Sequence, residues 1–557
     1  MSYLYIKEVV KNYVIIIKYM NIKNIFSFLF WIFIFVLLVF NGARYLDPDF
    51  AWHLRVGQEI TNLKEVPDIE HFDYTLEGQS WVDHEWGANY LTYQIYDKLG
   101  YFSLIIFFAI IAFLSFYLLY LFILKKYSSH LKDNFLLKVL LLLLILLGVY
   151  ASFPHLGVRM QEFTLLNIVF LMYIFEAYSK TKNSKYLFWF FPLIVLWVNV
   201  HAGFMMGLAL IFVYLFINFF QYLSYKHFKL YFLNYDNVLE IKQIMTLSVF
   251  SFLAFLASFI NPYGLDLYSF LKTYSNDYYL KHIVEWLPVY YLPILYKQII
   301  FEALSLTVVI IFLVFALTKY KNLGKAKYKI RVWDFAIYFL FLYFSFKSKR
   351  HFPLFFMLSM PFIFSLYIEL FDDAFHQVKK IVNMKITAFF VISVLLIVII
   401  GQSIKINFVT DPFNDFCDEH PCQAVQYFKD NPNLQEKRIL NDYGWGGFLI
   451  WELPDLKLFI DGRLPQFKLN GHSMLEEYKE FFIKDLLEEK LNEHKIETVL
   501  MKASYDKIKL NWFEKYFLML DQETINDQKN ELKEYLDSSP EWKKVFSDKI
   551  SIIYVKI

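Results

Sequence analysis

The stretch FSFLFWIFIFVLLVFNGARYLDPDFAWHLR, residues 26–55, decides the fold, because it passes without a linker from apolar side chains to charged ones. Its first half has the length and apolarity to cross about 30 Å of hydrocarbon as a helix. Its second half sets Asp47, Asp49, His53 and Arg55 at the mouth of that helix, with Glu59 just beyond. Charged groups just above hydrocarbon are costly unless they are solvated, paired or bound to a ligand. Two acids flanking Pro48 at this depth therefore offer oxygen ligands or a general base. The competing reading is an interfacial turn, with Asp49 capping a helix and Trp52 in the aromatic belt.

Apolar runs of spanning length recur at 101–124, 138–153, 163–178, 186–200, 203–222, 244–261, 298–318, 333–346, 352–371 and 386–405. Together with 24–41 they predict about 11 transmembrane helices. With 57% hydrophobic and 19% charged residues, the composition is that of a bilayer protein and not of a soluble enzyme. The first apolar stretch is longer than a signal-peptide core and lacks a small-residue cleavage site, so it reads as a retained span. Lysines mark one side at every second crossing: Lys7 to Lys23, Lys125 to Lys138, Lys180 to Lys185, Lys226 to Lys242, Lys319 to Arg331 and Lys379 to Lys385. That side faces the cytoplasm by the positive-inside rule. The expectation is a multi-pass protein of the plasma (inner) membrane with a cytoplasmic N-terminus and outer segments at 42–100, 153–161, 199–203, 262–297 and 347–351.

Residues 406–557 are more polar and carry strand patterns at 438–440, 456–460, 496–501 and 551–557, with amphipathic helix between 473 and 494. The predicted architecture is a polytopic α-helical membrane domain, 1–405, followed by an extracytoplasmic α/β domain, 406–557. A net charge of +2 without a basic patch argues against nucleic acid. Cys417 and Cys422 lack partners at metal-finger spacing and allow at most one local bridge.

The chemistry-bearing residues all fall on the predicted outer side. The first loop closes with SWVDHEWGANYL (80–91), which adds Asp83, His84 and Glu85. A metal held by Asp47, Asp49 and Glu85 would be Mg²⁺ or Mn²⁺, since oxygen ligands dominate. Alternatively, Glu85 or His84 pairs with Arg55 and fixes the loop. Arg159 stands in HLGVRMQEF, Asn199 and His201 in WVNVHAG, and Glu285 and Trp286, within reach of the same cavity, in IVEWLP. For Asn199 and His201, hydrogen bonding between helices competes with a ligand role. Lys349, Arg350 and His351 form a basic turn where the positive-inside rule disfavours one, and a phosphate on a lipid carrier would account for it. In RILNDYGWGGFLIWELPDLKLFIDGR (438–463), Asp442, Tyr443, Asp461 and Arg463 lie at strand ends, where α/β sheets present ligand groups. The glycines of that segment read equally well as tight turns.

The layout resembles the C-type (GT-C superfamily) glycosyltransferases: many spans, a long first outer loop opening with acids, and a C-terminal outer domain. Asp49, Trp52, His53 and Arg55 resemble the Asp-x-x-aromatic-His-x-Arg stretch of archaeal oligosaccharyltransferase catalytic subunits, and NDYGWGG faintly resembles their WWDYG motif. The paired tryptophans of that motif are missing, and only Glu162 stands where the family has two acids. The DPD-x-x-WHL and HEW segments look more like a group of bacterial membrane proteins described as glycosyltransferases. The resemblance implies sugar transfer from a polyprenyl-phosphate or polyprenyl-diphosphate donor to an outer-face glycan, lipid or protein. Asp49 would be the base or a metal ligand, with Asp47 beside it and Glu85 and Asp83 assisting. His53, Arg55, Arg159, Asn199, His201, Glu285, Lys349, Arg350, His351, Asp442, Tyr443, Asp461 and Arg463 would bind substrate. The rival readings are a non-catalytic transporter or flippase of lipid-linked glycans and an envelope assembly scaffold.

Overall fold

The computed structural model describes residues 22–44, 46–132, 134–228, 234–320, 331–378, 412–469, 471–504, 507–526 and 530–557. The predicted span at 386–405 and the boundary at 405 fall outside the described residues. So do Lys7, Lys11, Lys18, Lys229, Lys379, Lys380, Lys385 and positions 321–330 of the basic cluster.

Each of the other ten predicted spans is helical: Ile22–Gly42, Tyr101–Lys126, Phe135–Ser152, Gln161–Thr181, Phe190–Val198 with a 3₁₀ lead-in, Phe204–Leu223, Ile241–Ala257, Tyr296–Tyr320, Val332–Lys347 and Phe352–Val378. Seven helices are long and apolar enough to cross a membrane, while Ser184–Val198 and Ile241–Ala257 are shorter apolar ones, among the described residues. The loops sort to two ends of this bundle. At one end Lys126 binds Asp334 at 2.9 Å, and Lys180 (2.9 Å) and Arg331 (3.6 Å) gather on Glu176. All the segments predicted to lie outside gather at the other end. Polar groups tie the helix ends there, as Asn41 does by donating to the carbonyls of Phe153 (3.1 Å) and Leu156 (2.9 Å).

The first loop holds two helices, Phe50–Leu63, which starts directly after Asp49 as the competing reading of that turn expects, and Trp86–Leu99. Their apolar faces pack on each other and on the C-terminal domain; Phe50, Leu54 and Val56 are fully buried. Asp49 is the N-cap of the first, yet its side chain makes no capping bond. The carboxylate is left for other work.

The C-terminal domain holds a four-stranded sheet in the order Ile439–Asn441, Thr498–Lys502, Ser551–Lys556, Trp542–Ser547. The first pair is parallel and the other two are antiparallel, with Leu440 opposite Val499 and Val499 opposite Tyr554. A disulfide joins Cys417 and Cys422. The predicted strand at 456–460 is not part of this sheet. Leu458 instead forms a parallel bridge to Asp73 of the first loop, donating to Phe72 O (2.9 Å) and accepting from Tyr74 N (3.0 Å). Beside this bridge, Arg463 donates to both Glu70 oxygens at 2.8 and 3.0 Å and to Asp461, between the rings of Phe72 and Trp81. Arg463, Glu70 and Asp461 are all buried. The guanidinium is thus the bolt between the first loop and the C-terminal domain.

Removing one partner of such a buried cluster leaves uncompensated charge. Arg463→Ala is expected to cost about 3–5 kcal/mol, read as a lower melting temperature in detergent and faster proteolysis within residues 64–80.

Candidate functional site

A cavity of about 740 Å³ opens where the loops meet, within the roughly 300–1,000 Å³ range of small-molecule sites. Its lining brings together Asp47, Asp49, His53, Asp83, Glu85, Arg159, His201, Glu285, Arg350, His351, Tyr443 and Arg463 from the predicted set. These positions span more than four hundred residues of sequence and converge because every second helix end returns to the same surface.

Acids and cations alternate along one wall. Asp47 accepts from the Asp49 amide at 2.9 Å through one oxygen and ion-pairs with Arg159 through the other. Arg159 reaches Glu285 at 2.6 Å, and Glu285 meets Arg350 at 3.5 Å. Arg350 lies 5.3 Å over the Trp286 ring, a cation–π distance. Burial alone would raise Glu285, but Arg159 and Arg350 bring it down to about 2. Burial and the neighbouring Asp47 carboxylate push Asp49 the other way, up to about 7. Asp49 is therefore poised to take a proton near neutrality.

The C-terminal domain is cut to fit Asp49. A Cβ added to Gly462 would lie 2.1 Å from Asp49 Oδ1, and one added to Gly447 would lie 2.6 Å from Pro48 O and 3.3 Å from Trp52 Cδ1. Neither glycine has a positive φ. They admit the first loop to close contact, and the tight-turn reading of these glycines gives way to a packing one.

Glu85 occupies the other wall with three imidazoles around it. His53 Nδ1 faces Asn89 Oδ1 at 2.6 Å, while the Asn89 amide donates to both oxygens of Asp83 at 3.0 and 2.9 Å. Asn89 Oδ1 can only accept, so His53 carries its proton on Nδ1 and turns the Nε2 lone pair toward Glu85 Oε2, 3.8 Å away. His201 is the mirror case. Its Nδ1 accepts from the Gly203 amide at 2.9 Å and faces the Thr164 hydroxyl at 2.8 Å, so Nε2–H points at Glu85 Oε1, 3.4 Å away. An acceptor on one side and a donor on the other suit a neutral carboxylic acid. Burial and Asp83 push Glu85 to about 8, and burial lowers His53 to about 4 and His84 to about 3.

Several predicted residues have other work. Arg55 turns to Glu59 (3.2 Å) and Gln58 (3.0 Å), so neither Glu85 nor His84 pairs with it. Asn199 accepts from Trp86 Nε1 at 2.8 Å and donates to Val195 O and Ile260 O, the helix-joining role. Lys349 is buried, its amide bonded to Leu287 O, and it is absent from the lining. Asp442 accepts from the Gly444 amide (3.0 Å) and faces Lys502 (3.7 Å), and Asp461 belongs to the Arg463 bolt. His84 and Trp286, which the sequence set beside Glu85 and Glu285, also line the cavity, and His155, Tyr274 and Tyr279 line it without having been assigned to the site from sequence.

Asp47 is already engaged by Arg159. Among the described residues, three His, Asp or Glu ligand atoms come within 4.8 Å of one another only at Glu477, Glu493 and His494, where Lys490 already binds both glutamates (2.6 and 3.0 Å). Asp47, Asp49 and Glu85, the residues that would hold a metal, do not bring three ligand atoms within 4.8 Å of one another.

Among solved structures, the chain is similar to the archaeal oligosaccharyltransferase AglB from Archaeoglobus fulgidus in complex with an inhibitory peptide and a dolichol-phosphate. The TM-score is 0.50 at 11% identity, over 86% of this chain and 69% of that one. The apo form of the Archaeoglobus fulgidus oligosaccharyltransferase gives 0.46 at 11%, over 85% and 69%. No family model and no curated protein matches the sequence.

A carboxyl raised by folding loses stability as pH climbs from its ordinary range to its folded value. The melting temperature should fall as pH rises toward about 8 through Glu85, and Glu85→Gln, which stays neutral, should flatten that part of the profile.

Proposed function

We propose that this chain is a membrane glycosyltransferase that moves a sugar, with inversion, from a polyprenyl-phosphate or polyprenyl-diphosphate donor to an acceptor on the extracytoplasmic face. The observation that carries this reading is the shared cavity, where a carboxylate poised near neutrality faces two arginines. The dolichol-phosphate of the similar AglB complex agrees with a lipid-linked donor. The lysine-marked end of the bundle is assigned to the cytoplasm, which sets the cavity and the C-terminal domain on the outer side of the plasma membrane.

The roles follow from charge. Asp49 takes the proton of the acceptor as its heteroatom bonds to the anomeric carbon. The bond from that carbon to the phosphate oxygen breaks, and Arg159 and Arg350 stabilise the departing phosphate. Glu285 keeps both guanidiniums in place between turnovers. Asp47 positions Asp49 and Arg159 and, with both oxygens engaged, is not itself the base. Glu85, as a neutral acid, donates to a sugar hydroxyl, and the Asp83–Asn89–His53 chain fixes its partner's tautomer. Tyr443 and Gly444 close the cavity from the C-terminal domain.

Purified protein supplied with a lipid-linked sugar pool should turn over, and Asp49→Asn should lose about 10²–10⁴-fold in kcat while its melting temperature holds. Unchanged turnover would remove Asp49 from the mechanism. Activity should rise with pH through about 7 as Asp49 ionises and decline above about 8 as Glu85 does, with Glu85→Gln lacking the alkaline limb. Gly462→Ala, which drives a methyl into Asp49 Oδ1, should lower kcat by at least about tenfold, the effect of a barrier raised by about 1.4 kcal/mol.

A further inference from the structure

Among the described residues of the C-terminal domain, the exposed large apolar side chains concentrate in one segment, with Ile483 and Ile557 the exceptions outside it. In KIKLNWFEKYFLML, residues 507–520, Trp512 is 71% exposed, Tyr516 70%, Phe517 69% and Met519 85%, with Ile508, Phe513 and Leu518 also exposed. A contiguous apolar patch of this kind on a water-facing domain marks an interaction surface.

The segment is built to hold these side chains outward. Asn511 and Glu514 form a reciprocal capping box, with Glu514 N donating to Asn511 Oδ1 (3.0 Å) and Asn511 N to Glu514 Oε2 (2.7 Å). The amides of Ile508 and Leu510 donate to Asn526 Oδ1 (2.7 Å) and Gln522 Oε1 (2.9 Å). Leu510 and Glu514 are the inward residues. The Ile508 and Leu510 amides and those of Lys515, Phe517, Leu518 and Leu520 are bonded within the segment or to its neighbours, which lowers the cost of entering an apolar phase.

Its place in the molecule names the occupant. The Asn511 amide donates to Tyr296 Oη at 3.0 Å, and the Phe513 ring meets Tyr296 edge-on at 6.3 Å. Tyr296 is the first residue of the span Tyr296–Phe315, and the loop before it exposes Tyr290 and Tyr291. The patch therefore stands level with the point where that helix enters hydrocarbon. Exposed Lys507, Lys509 and Lys515 lie among the aromatics, the composition that settles at a headgroup boundary, with rings at carbonyl depth and ammonium groups at phosphates.

We propose that residues 507–520 are an interfacial anchor, which dips into the leaflet entered by the Tyr296 helix and holds the C-terminal domain down on the membrane. The anchor would keep the loops carrying Gly447 and Gly462 seated on the first loop. It rests on the membrane reading of the helices and not on the chemistry assigned to the cavity.

The test uses the full chain in nanodiscs of phosphatidylcholine and phosphatidylglycerol. Cys417 and Cys422 are joined as a disulfide, so a nitroxide attached to Met519→Cys reports one site, with Lys543→Cys, on an exposed strand position, as the aqueous control. The expected result is strong relaxation of the Met519→Cys label by oxygen and weak relaxation by a water-soluble nickel chelate, with the reverse at Lys543→Cys. Chelate access at Met519→Cys equal to the control would overturn the proposal by placing the patch in water. A label shielded from both agents would also overturn it, because protein, a second copy or another partner, would then cover the patch.

Discussion

Everything at the cavity depends on the seating of the C-terminal domain on the first loop. Two glycines without side chains admit Pro48, Asp49 and Trp52 to contact distance, and the buried Arg463 cluster bolts the same two parts together a few residues away. The tolerance is small, since a methyl group at Gly462 would overlap a carboxylate oxygen. Without this seat Asp49 would be a solvated N-cap residue with an ordinary acidity. With it, the carboxylate is half-buried and lies beside a second acid, and it titrates near neutrality. Geometry fixed far away in sequence thereby sets the proton affinity of one side chain.

The same seat explains why the charges do not collapse on one another. Asp47 and Glu285 are each shared with an arginine, so four groups alternate in sign along the wall. Asp49 remains outside that chain of ion pairs, its backbone bonded to Asp47 and His53 and its carboxylate set beside Trp52 and against Gly462. On the opposite wall, two histidines with fixed and opposite tautomers bracket Glu85 and favour its neutral form. One cavity thus presents a carboxylate and a carboxylic acid at the same pH, and environment alone separates their roles.

The large-scale organisation could be read from residues alone because it rests on strong, repeated signals. Hydrocarbon demands long apolar runs, and the lysine clusters alternate with them, so the loops could be sorted to two ends before any contact was known. The convergence of Asp49, Glu85, Arg159 and Arg350 followed from that sorting. The segments 50–63 and 86–99 leave no run of spanning length because their apolar residues face a partner outside the bilayer, and the first was legible only as a helix capped by Asp49. The segment 456–460 has strand composition, yet its partner is the first loop, a pairing that no local pattern encodes. Trp542–Ser547, with its adjacent lysines, lacked the alternation that marks a strand. Arg55 illustrates a limit of proximity in sequence: it is one helical turn from Glu59 and pairs there. In a chain with 42 tyrosines, Tyr274 and Tyr279 carried no signal that set them apart.

The central claim is that one cavity holds both a lipid phosphate and the base. The most direct measurement is an electron-microscopy density map of the protein saturated with a short-chain polyprenyl phosphate. The account predicts phosphate density within hydrogen-bonding reach of Arg159 and Arg350, with the Asp49 carboxylate facing the same space. Phosphate bound instead at the opposite end of the bundle, among Lys126, Lys180 and Arg331, would contradict it.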